Sequence, residues 1–132
     1  MADDDTPESF SWLDYHELAK ELVERDDEAS LRTAVSRSYY ALFNAARVVV
    51  AHHDPDYSLH RSRDSHKVVW DKLNTLNRRQ AKSAARRGRS LLRERKDADY
   101  QLDATSWRRR ASSAVEHAGA ALRGLVELLP EN

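Results

Sequence analysis

Five cations, Arg79, Lys82, Arg86, Arg89 and Arg93, recur at steps of three and four along one stretch of the chain. On an α-helix that spacing puts them on a single face. Arginine suits phosphate, because its planar fork donates two parallel hydrogen bonds to a pair of oxygens. Residues 78–96 hold nine basic side chains and one acid, Glu94. Such a density of charge has two readings. One is a nucleic-acid or other anionic partner. The other is a solvated face beside an acidic neighbour. That neighbour exists in the sequence, since residues 1–28 carry eleven Asp and Glu against Lys20 and Arg25. A further basic run, Arg108–Arg110, joins the same local field if the last helix packs beside the basic one.

A second polar set, Arg37, Tyr40, Asn44 and Arg47, has the same helical spacing inside LRTAVSRSYYALFNAARVVV, Leu31–Val50. A central helix has little free surface, so this face needs a partner. Pairing with the acid-rich first helix is one reading, and a cleft for an anion or a nucleotide is the other. Tyr39 and Tyr40 read as packing residues with satisfied hydroxyls. The six histidines form no HExxH pair or other metal-ligand pattern. There is no Ser/His/Asp signature and no glycine-rich phosphate loop, so neither a metal nor a cofactor is expected. The chain has no cysteine, which excludes disulfides and thiol chemistry.

The elements that position these residues read as all-α. Gly and Pro number three each, and Arg, Ala, Leu and Glu dominate. The 132 residues make one domain, a helical bundle over 10–129 behind an acidic tail, 1–9. The expected architecture is an up-and-down bundle of four long helices plus a shorter fifth. The first helix runs from about Pro7 to Arg25 with Thr6 as cap, and Asp26 or Asp27 caps the second, Glu28–His52. Pro55 breaks the chain. The third covers Ser62–Leu76. The fourth covers Arg78–Lys96, with Asn77 and Gln80 in capping-box positions and Ala81, Ala84, Ala85 and Gly88 on its inner face. ADYQLDATS reads as a loop, and the fifth helix covers Ser106–Leu129. Trp12, Trp70 and Trp107 are large enough for a dimer seam, with core burial expected for at least two. No apolar run approaches the ~20 residues of a membrane span, and MADDDTPES lacks the order of a secretory signal. A soluble, cytoplasmic protein is expected.

Three segments in matching order resemble the HEPN domains (higher eukaryotes and prokaryotes nucleotide-binding), closest to small single-domain prokaryotic members. They are SRSYYALFNAAR, DSHKVVWDKL with His66, and RERKDADY with Arg93, Arg95, Asp99 and Tyr100, followed by an amphipathic helix. The resemblance spans roughly residues 10–128. It implies a helical bundle, usually a homodimer. It also implies a protein of toxin–antitoxin or defence systems that binds RNA or a nucleotide, here through helix 4 and the ADY loop. Many such domains are metal-independent ribonucleases, and others pair with a minimal nucleotidyltransferase antitoxin.

Active members carry an arginine four to six residues before a histidine, the two meeting across the dimer. That spacing occurs here at Arg47/His52, Arg47/His53, Arg61/His66 and Arg110/His117. In the fuller family frame, Arg93 is followed by Ala98 where the histidine belongs, then by Asp99 and Tyr100. On the nuclease reading the catalytic groups are Arg93 or Arg95, helped by Tyr100 and His66. On the binding reading Arg37, Arg47, Arg79, Lys82, Arg86, Arg89 and Arg93 hold RNA without cleaving it. A third reading is an interaction module without a ligand. The resemblance also makes Tyr100 a candidate for modification by a partner transferase.

Overall fold

A computed structural model of the chain describes residues 11–59 and 65–130. The acidic tail, the Thr6–Pro7 start of the first helix and Arg61 lie outside these residues. Among the described residues five α-helices form: α1 Leu13–Val23, α2 Glu28–His53, α3 His66–Thr75, α4 Arg79–Tyr100 and α5 Trp107–Val126. The all-α expectation holds. The lengths differ from it: α2, α4 and α5 are long, at 26, 22 and 20 residues, while α1 and α3 have 11 and 10. No helix among the described residues is long and apolar enough to cross a membrane.

The second helix is the axis of the fold and packs against each of the other four. Its sequence explains this. Leu31, Ala34, Val35, Tyr39, Ala41, Leu42, Ala46, Val49 and Val50 surround it with apolar side chains, and all are buried. Asp27 starts it, accepting the Ser30 N–H at 2.9 Å. Asp54, ahead of Pro55, ends it. The small face of α4 meets its neighbours closely, and at Gly88 the ring of Trp70 from α3 occupies the place of a side chain. Trp70 and Trp107 are both core residues.

The basic helix does not face the acidic one. Among the described residues α1 packs on α2 and α5 and makes no contact with α4. The last helix does pack beside α4, as the Arg108–Arg110 argument requires.

Two local expectations are corrected. The Asn77–Gln80 capping box does not form. Arg78 stands at the N-cap without a side-chain bond, and Gln80 instead donates to Glu127 at 3.0 Å. The ADY segment is not a loop, because α4 continues through Ala98 and Asp99 to Tyr100. The cause is Arg32 on α2. Its guanidinium donates to the carbonyl oxygens of Asp97 at 3.4 Å, Ala98 at 3.1 Å and Leu102 at 3.2 Å. These include carbonyls that a helix end leaves without partners, so the helix can run on. Arg32 and Arg110 also lie 4.7 and 4.3 Å from the Trp107 ring centroid. Replacing Arg32 with alanine is expected to cost about 2 kcal/mol of stability by urea denaturation. Lysine should restore only part of this, since a single ammonium cannot span several carbonyls.

Candidate nucleic-acid interface

The five-cation stripe on α4 divides in two. Arg89 is held by Asp71 of α3 at 2.5 Å, and Lys82 donates to the Asn74 carbonyl at 3.0 Å. Hydrogen bonds from Lys67 and Arg89 keep the Asp71 carboxyl below the usual carboxylate range. Arg79, Arg86 and Arg93 are exposed. Among the described residues none of the three has a carboxylate partner. Spaced by seven, they lie almost in line along the helix, about 10 Å apart.

The polar face of α2 is satisfied without helix 1's acids. Arg47 donates to Asn44 Oδ1 at 3.1 Å and to the Leu59 carbonyl at 3.0 Å. It therefore tethers the segment that follows α2. Asn44 donates to the Tyr40 carbonyl at 2.9 Å. Arg37 lies over Tyr15 and Tyr40, 4.9 and 5.2 Å from the ring centroids.

A second cluster forms where α2, α3 and α4 meet. Trp70 Nε1–H donates to the Tyr39 hydroxyl at 3.2 Å, and that hydroxyl lies 2.5 Å from His66 Nδ1. Indole nitrogen can only donate, so the Tyr39 oxygen accepts from Trp70, and the imidazole tautomer sets which way the Tyr39–His66 bond runs. The imidazole ring stacks on Phe43, centroids 4.2 Å apart. Burial, then the charges of Arg95 and Lys96, lower the His66 pKa. Burial pushes the Tyr39 hydroxyl strongly up, so it stays protonated. The Arg95 guanidinium lies 5.8 and 5.5 Å from the Tyr39 and Tyr40 rings. It reaches Asp99 at 3.5 Å, while its buried Nε has no acceptor among the described residues.

Of the residues predicted as catalytic, the structure thus brings His66 and Arg95 to one pair of tyrosine rings. Arg93 points to solvent from another side of α4. Tyr100, the last residue of that helix, is 75 % exposed. Among the described residues, the Arg47/His53 and Arg110/His117 spacings do not make sites of their own, and Arg61/His66 lies partly outside those residues. His53 donates to the Leu128 carbonyl at 3.0 Å, away from the Arg47 bonds. Arg110 is occupied by Glu94 at 2.8 Å and Asp97 at 2.7 Å.

The His66 environment has a consequence for pH. Unfolded, the ring titrates near the ordinary 6.5; folded, it titrates lower. Below 6.5 the unfolded chain takes up a proton that the folded chain refuses. Stability therefore falls as pH drops from about 6.5 through the folded value, and this group has no effect above that window. Urea midpoints at about pH 7.5 and 5.5 check it. His66→Phe keeps the stack but cannot titrate, so it should lose less stability on acidification than the wild type.

Sequence reasoning missed a third feature, a groove of about 570 Å³ between α4 and α5. Arg86, Arg87 and Ser90 line one wall, and Arg109, Ser113 and His117 the other. Arg87 Nη1 lies 2.5 Å from His117 Nδ1. The run Arg108–Arg110 was the available signal, but only the pairing of the two helices shows which of its members enters the groove. Among the described residues no group of acids and histidines could hold a metal ion.

No family model matches the chain, and neither does any curated protein or solved structure. The likeness to HEPN domains rests on the three quoted segments and their order.

Proposed function

We propose that this chain is an RNA-binding protein of HEPN type that holds single-stranded RNA along the exposed face of α4. One observation carries the reading: Arg79, Arg86 and Arg93 form a line of guanidinium groups that no carboxylate among the described residues neutralises. Cations left unpaired on a rigid helix suit phosphates. The wider setting rests on the sequence resemblance. It comprises the up-and-down HEPN bundle, homodimer formation, a role in a toxin–antitoxin or defence system, and a minimal nucleotidyltransferase as partner.

A second reading is metal-independent cleavage at His66 and Arg95. What favours it is the buried Arg95 Nε, without an acceptor among the described residues, beside an imidazole whose pKa is lowered by burial. Arginine there would stabilise the charge that grows on phosphorus-bound oxygens when a ribose 2′-hydroxyl attacks. The hydrogen bonding works against it. Nδ1 is already engaged by the Tyr39 hydroxyl, which itself accepts from Trp70, so only Nε2 is left to meet a substrate. Binding is therefore the better-supported reading.

The test is incubation of labelled single-stranded RNA with the protein in EDTA. Binding that weakens steeply with salt, without cleavage, is expected. Cleavage lost in both His66→Ala and Arg95→Ala would put the nuclease reading in its place. Absence of binding at low salt would overturn both.

A further inference from the structure

We propose that the groove between α4 and α5 is an end-recognition site that takes the terminal phosphomonoester of an RNA strand. The inference rests on the RNA-binding reading and adds to it which part of the strand the groove selects. Arg86, Arg87 and Arg109 bring three guanidinium groups to the groove from both walls, and Ser90 and Ser113 add hydroxyls. Its floor is apolar, made by Leu91 and Ala114, which are 3 % and 2 % exposed. The one carboxylate in the lining, Glu94, is already taken by Arg110, which also binds Asp97. The three facing arginines have no acid of their own among the described residues. Arg87 instead meets His117 Nδ1, a weak substitute for an anion.

Charge selects the kind of phosphate. An internal phosphodiester carries one negative charge, whereas a terminal monoester carries about −1.5 to −2 at neutral pH and three free oxygens. Three convergent guanidiniums match the monoester. Direction selects the end of the strand. Arg86 also lines an adjoining hollow with Arg79, so the groove opens onto the α4 stripe on that side. At its other end Arg110 is held by Glu94 and Asp97, so it offers a strand no free cation along which to run on. A strand whose end reaches Arg86 can place its terminal phosphate in the groove. The volume is within the range of sites that enclose a small ligand, enough for a phosphate with part of its nucleotide.

Fluorescence anisotropy with one RNA sequence bearing 5′-hydroxyl, 5′-phosphate or 3′-phosphate ends tests this. One phosphorylated form is expected to bind about tenfold tighter than the hydroxyl form. The Arg87→Ala/Arg109→Ala variant, with its folding verified by circular dichroism, should lose that preference yet still bind hydroxyl-ended RNA. Equal affinity for all three ends, or a preference that survives in the double variant, overturns the end-recognition site while leaving RNA binding intact. If no RNA binds at all, the RNA-binding reading falls and this inference falls with it.

Discussion

Replacing Arg79, Arg86 and Arg93 together with alanine lowers affinity for single-stranded RNA about a hundredfold near 0.1 M salt. The slope of log affinity against log salt becomes shallower by about 2. Each guanidinium that meets a phosphate releases condensed counterion, and three such contacts set the size of both changes. All three side chains are exposed and unpaired among the described residues, so their loss leaves no buried charge behind and the fold is unaffected. Arg89→Ala behaves differently. Asp71 already holds that guanidinium, so its removal changes affinity far less than removal of Arg86. Anisotropy titrations across a salt series measure all of these, and equal effects at Arg86 and Arg89 would contradict the division of the stripe.

Gly88→Ala has the largest expected effect on stability. A Cβ at this position would lie 2.5 Å from Cζ3 and 2.6 Å from Cζ2 of Trp70, closer than side-chain carbons approach one another. Trp70 cannot step aside. It is fully buried, and its N–H is committed to Tyr39. Overpacking of this kind costs about 1–3 kcal/mol, and moving the indole would also break the Tyr39–His66 chain. Trp70→Leu opens a cavity and is destabilising by itself. In the double variant the new methyl has room, so the combined loss should be smaller than the two single losses added. Urea denaturation of the four proteins checks this. Strict additivity would mean that α3 and α4 do not meet at this point.

The parts of the structure that were legible in the sequence are those fixed by local chemistry. The apolar face of α2, its Asp27 cap and the break before Pro55 need only neighbours in the chain. The same is true of the small face of α4. What could not be read depends on contacts between distant residues. The ADY segment has the composition of a loop, and it is helical because Arg32 reaches the carbonyl of Ala98, sixty-six residues away. Arg89 looked equivalent to Arg86 until α3 placed Asp71 beside it. Arg47 has the spacing of a ligand, and that it also donates to a backbone carbonyl in the segment after α2 is visible only in the fold. His66 and Arg95 sit in two segments of the resemblance, but their meeting at Tyr39 depends on how α2, α3 and α4 pack. The acidic first helix invited electrostatic pairing with α4, yet its apolar stripe docks it on α2 and α5.

The most direct test is an NMR titration that follows the arginine Nε–Hε resonances as single-stranded RNA is added in low salt and EDTA. Shifts are expected at Arg79, Arg86 and Arg93, with Arg89 and Arg110 little changed because Asp71, Glu94 and Asp97 already hold them. Shifts absent from those three arginines while RNA is demonstrably bound would contradict binding along α4.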